Sequence, residues 1–279
     1  MFGHSIVNLG SAAVTSTEQS RRKYDALADR YEEIFFYVAD MGRRLADFVA
    51  PRPGTRVLDV GAGRGAVTRA ALHRRCVVTA VDASARMVAR LRADQPTVTV
   101  RQLDAGRLDF PDGSFDLVTA GFLVQVLDDP AAALAEFRRV LVPGGTVALS
   151  LERQTVGRLG WLDELNAEFF GPAVEAAADP MDADRLDTLL VAAGFGQLNR
   201  VEVDIPKALP GPRALWSWLS LQGVPQALDA LPARRAAQFR RAFLAGAEAM
   251  HADGGIVLDF GATLHSGVNG AGAVSAPQA

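Results

Sequence analysis

A glycine-rich turn between an apolar segment and a helical segment is the feature that most constrains the fold. The segment RVLDVGAGRG covers residues 56–65, with glycines at 61, 63 and 65. Glycine readily adopts positive φ and has no side chain, so the backbone can turn sharply here and approach a ligand closely. A helix from Gly65 to about Arg75 would point its amino terminus at that ligand. The motif predicts a ligand-binding turn, although an ordinary tight turn remains an alternative for this stretch alone.

Acidic residues mark the ends of three successive predicted strands. Asp59 belongs to the first, Asp82 follows the strand over 76–81, and Asp104 follows the strand over 97–103. The carboxyl ends of parallel strands share one edge of an open α/β sheet, and ligands bind there. An acid about twenty residues after the glycines is placed to accept both hydroxyls of a ribose. We therefore expect a nucleoside site with Asp82 on the ribose.

The rest of the chain alternates between strand and helix patterns. This alternation predicts an α/β fold with a doubly wound, mostly parallel, Rossmann-like sheet. The further predicted strands are Phe115–Ala120, Thr146–Leu151, Gln197–Ile205 and Gly255–Leu264, and the further helices include Ser84–Ala93, Pro130–Val140 and Asp182–Ala193.

The motifs together resemble those of class I S-adenosylmethionine-dependent methyltransferases. They are similar to the small-molecule branch that includes the ubiquinone and menaquinone biosynthesis enzymes. The nearest alternative is a nicotinamide-binding fold, whose glycines follow the pattern G-x-G-x-x-G. Here Ala66 occupies the place of the third glycine of that pattern. The resemblance implies S-adenosylmethionine as cofactor and a seven-stranded sheet whose last strand is antiparallel. The residues that show the resemblance are 57–65, 81–84, 104–105, 111–118 and 139–145.

The resemblance also implies a role for individual residues around the cofactor. The loop at Gly61, Ala62 and Gly63 and the Ala120 carbonyl would hold the methionine end, with Asp59 bracing the loop. Asp104 would face the adenine amino group, and Ala105 would donate a backbone N–H. The remaining expected contacts are the apolar wall of Ala83 and Met87, the strand-end residue Phe122, and Tyr24 in a segment that closes over the cofactor.

The substrate and any catalytic base are harder to assign. Methyl transfer is an in-line displacement in which alignment and water exclusion supply much of the acceleration, and only a hydroxyl acceptor needs a base. Glu152, after the fifth strand, and His251 are the candidate bases, although both residue types are common on ordinary surfaces. The predicted substrate contacts are Tyr31, Gln125, Trp161 and Trp216, for which plain packing is the alternative.

The domain organisation expected from the pattern is one methyltransferase domain over residues 15–267. It would comprise amino-terminal helices over 15–50, a cofactor-binding core over 51–152 and substrate lids over 153–178 and 207–253. Residues 1–14 and 268–279 are small and aperiodic, so we expect poorly ordered tails.

The composition limits the binding partners and the cellular compartment that we expect for this protein. The net charge of −3 and pI near 5.8 provide no basic stripe for nucleic acid. The one cysteine, Cys76, excludes an intramolecular disulfide, and the four scattered histidines predict no metal site. We expect neither a membrane span nor a signal peptide, and therefore a cytoplasmic protein. The sequence leaves a homodimer open.

The leading hypothesis is transfer of a methyl group to a small, biosynthetic molecule at oxygen, nitrogen or carbon. Trp and Phe residues in the predicted lids favour a closed apolar chamber for such a substrate. Two alternatives remain: a cyclase-type enzyme that retains the cofactor without methylation, and a binding module that senses the cofactor.

Overall fold

The computed structural model describes residues 17–154, 158–171, 181–221 and 224–270. The expected tail over 1–14 lies outside these ranges, as does part of the expected lid over 153–178. The strands are β1 Arg56–Val60, β2 Val77–Asp82, β3 Thr99–Gln102, β4 Phe115–Gly121, β5 Leu141–Gln154, β6 Phe195–Leu209 and β7 Ile256–Asn269. The helices are α1 Thr17–Leu27, α2 Tyr31–Ile34, α3 Val38–Val49, α4 Ala66–His73, α5 Ala85–Asp94, α6 Pro130–Val140, α7 Gly160–Phe170, α8 Ala183–Ala192, α9 Pro212–Leu221, α10 Val224–Asp229 and α11 Ala233–Ala252.

The strands form one seven-stranded sheet in the order β3-β2-β1-β4-β5-β7-β6. Four neighbouring pairs are parallel: β3 with β2, β2 with β1, β1 with β4, and β4 with β5. The order reverses direction between β1 and β4, and this is the switch point at which open sheets bind ligands. The predicted α/β class with a mostly parallel sheet is confirmed.

The last strand runs antiparallel to β5. The side-chain amide of Asn269, at the end of β7, donates to the carbonyl oxygens of Leu141 and Val142, each at 3.1 Å. These two residues begin β5, so the end of one strand lies beside the start of the other. β7 extends to Asn269, beyond the predicted strand end at Leu264 and the expected domain end at 267.

The edge strand β6 also differs from its expected length. The prediction ended it at Ile205 because Pro206 follows, yet the strand continues to Leu209. Proline cannot donate to a ladder of hydrogen bonds, and an edge strand leaves one side of its backbone unpaired. The position of β6 at the edge of the sheet therefore accommodates Pro206.

The main core lies between the sheet and the helices that pack on it. Strand residues such as Leu58, Val118 and Leu149 are fully buried, as central parallel strands covered on both faces should be. Phe137 of α6 and Leu190 of α8 complete this cluster. The core thus holds β1 and β4 rigidly at the ligand edge.

The chain divides into two compact units, which are described separately. One comprises Ser16–Glu152, Met181–Val203 and the chain from Ala262, and contains most of the sheet. The other contains Arg153–Pro180 and Asp204–Gly261, with α7, α9, α10 and α11. No helix within the described ranges is long and apolar enough to cross a membrane.

His265 is a buried polar residue of β7 with a defined pair of partners. Its Nδ1 lies 2.7 Å from Oδ1 of Asp187, and its Nε2 lies 2.9 Å from Oγ1 of Thr263. Burial lowers the pKa of His265, a stronger effect than the increase caused by Asp187, and Arg200 lowers it further. The ring therefore stays neutral more readily in the folded chain than in the unfolded one.

This environment predicts an acid-sensitive contribution to stability. Because the folded-state pKa of His265 lies below its usual value, its contribution is present above about pH 6.5 and is lost as the pH falls below that. Melting temperatures at pH 7.5 and 5.5 should therefore differ less in His265→Gln than in the wild type. The exposed His73→Gln variant is the control and should keep the wild-type difference. An unchanged difference in His265→Gln would contradict this assignment.

Candidate functional site

A pocket opens at the carboxyl ends of β1, β2 and β4. Its atom-free volume is about 790 Å³, including the open solvent at its mouth. Its lining comes from the glycine loop, the ends of β2, β3 and β4, and helix α1. A second cavity of about 530 Å³ shares Gly61, Gly63 and Phe122 and reaches the buried Asp59.

The three glycines of the loop are needed for different reasons. All have positive φ, at +65° for Gly61, +54° for Gly63 and +81° for Gly65. A Cβ on Gly61 would lie 2.8 Å from Leu123 Cδ1, and one on Gly65 would lie 2.5 Å from Leu91 Cδ1. A Cβ on Gly63 would meet nothing within 4 Å. A side chain at Gly61 or Gly65 would thus force Leu123 or Leu91 to shift, whereas Gly63 keeps space open in the pocket.

The loop is tied to β2 by two of its own N–H groups. The N–H of Ala62 donates to the Val81 carbonyl at 3.0 Å, and the N–H of Gly63 donates to Oδ2 of Asp82 at 2.8 Å. These two donors are already engaged within the protein. At Gly63 the loop therefore gives a ligand room to approach the backbone closely, rather than an N–H donor.

Asp82 stands at the centre of the pocket's hydrogen bonding. Its Oδ1 accepts the backbone N–H of Ser84 at 2.8 Å, while its Oδ2 accepts that of Gly63. Burial raises the pKa of Asp82; the two N–H groups lower it and Asp25 raises it further. A carboxylate has about four acceptor positions, so two remain for a ligand.

Asp59 supports the loop from within the sheet. It accepts hydrogen bonds from Oγ1 of Thr68 at 2.6 Å and Oγ1 of Thr119 at 3.0 Å, which joins β1 to α4 and β4. Burial raises its pKa to about 6, against the opposing effect of the threonine bonds.

The residues predicted to bind the adenine also line the pocket. Ala83, Met87, Asp104 and Ala105 are all among its walls, and Met87 is buried. Oδ1 of Asp104 accepts the N–H of Gly106 at 2.7 Å, which fixes its carboxylate after β3. The apolar and polar groups expected around an adenine are therefore assembled at one edge.

Ala120 is fully buried in β4 opposite Leu149 of β5 and lines neither of the two cavities. The next residues, Gly121 and Phe122, line both cavities. Phe122 is a predicted cofactor contact, whereas Gly121 is not, and β4 extends one residue further than predicted, to Gly121. The contact of the Ala120 carbonyl with the methionine end stays a prediction.

Phe122 has an unusual backbone conformation that no sequence pattern predicted. Its φ is +54°, which is unfavourable for a residue with a side chain. Its N–H donates both to the carbonyl of Ser150 at 3.0 Å and to Oγ of Ser150 at 3.1 Å. Backbone outliers of this kind cluster at functional sites. Ser150 is thus a supporting residue that sequence reasoning missed.

All three tyrosines of the chain belong to one aromatic group near the pocket. Tyr24 and Tyr31 line the pocket and meet edge to face at 6.1 Å, and Tyr37 meets Phe122 at 6.1 Å. Burial, reinforced by the charge of Glu152, raises the pKa of each tyrosine, that of Tyr24 to about 12. Their hydroxyls are therefore neutral at physiological pH.

The remaining predicted residues fall into two groups. Gln125 and Glu152 are brought together: the Glu152 N–H donates to Gln125 Oε1 at 2.9 Å, and Gln125 Nε2 donates to Glu152 Oε2 at 3.3 Å. His251, Trp161 and Trp216 belong to the other compact unit. The two indoles each pack on Phe243 there, at 5.8 and 5.0 Å, and His251 is exposed in the last turn of α11. Their roles at the substrate stay predictions.

Comparison with known proteins identifies the family. Residues 58–149 match the methyltransferase domain family. Nocamycin O-methyltransferase of Saccharothrix syringae is 34% identical over 70% of this chain and 79% of that protein. The chain belongs to the class I S-adenosylmethionine-dependent methyltransferases. Aklanonic acid methyltransferase DauC of Streptomyces sp. strain C5 is 30% identical over 70% of this chain and 87% of that protein.

The solved structure of the [4+2]-cyclase SpnF has the same fold. It has a TM-score of 0.59 and covers 94% of this chain and 99% of that one, at 20% identity. This likeness shows the fold alone.

The residues present fit the cofactor of the methyltransferase family. Gly63 leaves open the space that a Cβ would fill, and Asp82 has acceptor positions left in the same pocket. S-adenosylmethionine is the cofactor of this methyltransferase, and the pocket offers a carboxylate acceptor and open space beside the backbone.

The first test removes the carboxylate of Asp82. We expect Asp82→Ala to weaken S-adenosylmethionine binding by roughly 5- to 150-fold, because two hydroxyls would lose a buried acceptor at a cost of about 1–3 kcal/mol. Calorimetry measures the affinity. Asp116→Ala, which breaks an exposed ion pair with Arg56 at the start of β4, is the control. Wild-type affinity in a folded Asp82→Ala protein would refute the ribose assignment.

The second test separates backbone strain from lost space at Gly63. Gly63→Ala and Gly144→Ala both put a side chain at positive φ, and in neither does the new Cβ meet an atom within 4 Å. Both should therefore lose similar stability, about 1 kcal/mol. Only Gly63→Ala should lose cofactor affinity, by at least about tenfold, because only Gly63 lines the pocket. Equal affinities in the two variants would rule out the close approach at Gly63.

Proposed function

We propose that this methyltransferase transfers the methyl group to an oxygen atom of a small molecule, with Glu152 as the general base. The carboxylate of Glu152, which lies near the end of β5 and is joined to Gln125, is the observation that carries the proposal. Its negative charge helps to raise the pKa of Tyr24 and Tyr31, which line the cofactor pocket. A base near the pocket is what a hydroxyl acceptor needs and an amine does not.

The proposed roles around the cofactor follow the walls of the pocket. Asp82 accepts the ribose hydroxyls, Asp104 and Ala105 meet the adenine edge, and Ala83 and Met87 cover its face. Gly61, Gly63, Gly121 and Phe122 surround the methionine end, and Tyr24 closes the pocket from α1. Asp59 stays behind the loop, where its bonds to Thr68 and Thr119 support this arrangement.

When bound, the cofactor supplies an electrophilic methyl group on a sulfonium. The protein's contribution is to align the acceptor, exclude water and take a proton. Glu152 accepts the proton of the acceptor hydroxyl as the oxygen attacks, while Gln125 holds the carboxylate in place. Tyr31 is not the base, because its raised pKa keeps the phenol protonated. It serves instead as a neutral wall of the pocket.

The relatives include a nitrogen methyltransferase, but others favour oxygen as the acceptor atom. Nocamycin O-methyltransferase carries this atom in its name, and aklanonic acid methyltransferase acts on an acid. We propose a small metabolite of comparable kind as substrate. His251 is the second candidate base. Product mass separates methylation from cofactor-retaining cyclisation, since only methylation adds one methyl group.

The test compares Glu152→Gln with the wild type on an acceptor found by mass spectrometry in a metabolite panel. With a hydroxyl acceptor, Glu152→Gln should lower kcat by roughly a hundredfold and remove the pH dependence near neutrality. Gln125→Ala keeps the carboxylate but removes its support, so a smaller loss of about tenfold is expected. A hydroxyl acceptor methylated by Glu152→Gln at the wild-type rate would disprove the role of Glu152.

A further inference from the structure

We propose that Asp25 is a positioning residue that links the docking of α1 to the ribose-binding carboxylate of Asp82 through Ser84. The inference rests on the proposed role of Asp82 and assigns to Asp25 a function that no sequence pattern predicted. The connection is a continuous path of hydrogen bonds from helix α1 to the glycine loop.

The first step of the path joins α1 to α5. Oδ1 of Asp25 accepts a short hydrogen bond from the hydroxyl of Ser84 and a second from the backbone N–H of Arg86 at 3.2 Å. Its other oxygen lies 3.5 Å from Nη1 of Arg21, one turn earlier in α1. A carboxylate is favoured at this place, because the first turn of a helix presents unpaired N–H groups and positive potential.

The second step passes through Ser84, which is 1% exposed. Its hydroxyl donates to Asp25 and accepts the N–H of Met87 at 3.1 Å as the cap of α5. Its backbone N–H donates to Oδ1 of Asp82 at 2.8 Å. Both capacities of the hydroxyl are in use, so Ser84 is held in one orientation. Its N–H is thereby aimed at Asp82, whose other oxygen binds Gly63.

The same hydrogen bonds position helix α1 at the pocket wall. Helix α1 contributes Tyr24 and Arg21 to the pocket wall, yet Ser20 is its one buried residue. Apolar burial therefore holds this helix weakly, and its polar contacts decide how it docks. Asp25 follows Tyr24 directly in the chain. The same bonds that bring Tyr24 to the pocket also fix the carboxylate that faces the ribose.

The test measures discrimination between two ligands. S-adenosylhomocysteine carries both ribose hydroxyls, and its 2′,3′-dideoxy analogue carries neither. The wild type should bind the first at least about tenfold more tightly. In Asp25→Ala we expect S-adenosylhomocysteine to bind about tenfold more weakly and the analogue to stay within about threefold, so that discrimination is largely lost. Asp25→Asn keeps the acceptor oxygen and should retain discrimination.

The matched control is Asp29→Ala. Asp29 follows α1 in the chain and also binds α5, through Arg86 and Arg90, but is not part of the path to Asp82. Asp29→Ala should leave discrimination unchanged. Should Asp25→Ala fail to fold, Ser84→Ala removes the hydroxyl in the middle of the same path and should lose the same discrimination.

The outcomes separate the two levels of the proposal. Equal weakening of both ligands by Asp25→Ala would mean that the residue only anchors α1, and would overturn the positioning role. Unchanged discrimination in Asp25→Ala would overturn it as well. A wild type that binds both ligands equally would instead refute the ribose role of Asp82, while leaving methyl transfer itself intact.

Discussion

The site depends on a glycine loop that two carboxylates hold in place. Asp59 supports it through Thr68 and Thr119, and Asp82 receives the N–H of Gly63. Burying a carboxylate is unfavourable unless hydrogen bonds compensate it, and the raised pKa of about 6 for Asp59 shows that the compensation is incomplete. Asp59 therefore favours folding most at acidic pH, and this contribution is lost as the pH rises through 6.

The loop is also closely packed on both sides. Cβ atoms at Gly61 and Gly65 would lie within 3 Å of Leu123 and Leu91 side-chain atoms. The remaining glycine faces open space. The protein thus concentrates its strain and its buried charge where a ligand must come close to the backbone, a pattern expected at functional sites.

Local patterns were sufficient to predict the sheet and much of the pocket. The glycines, the acids after successive strands and the alternation of strand and helix all depend on short spacings along the chain. The bonds that orient the site join residues far apart: Ser150 supports Phe122 from 28 positions away, and Asp25 reaches Ser84 across 59. No periodicity reports such contacts. The end of β6 was missed for a similar reason, since only the order of the strands shows that Pro206 lies at an edge.

The amino-terminal segment over residues 17–34 is attached to the core by two kinds of contact. Thr17 and Asp128 exchange two hydrogen bonds at 2.9 Å, and Glu32 pairs with Arg69 at 2.7 Å. Such exposed contacts contribute little each, typically under about 1 kcal/mol. The chain after α1 is held differently, because Ile34 of α2 is only 3% exposed. Polar contacts therefore decide how α1 docks at the pocket, whereas burial of apolar surface holds the chain that follows it.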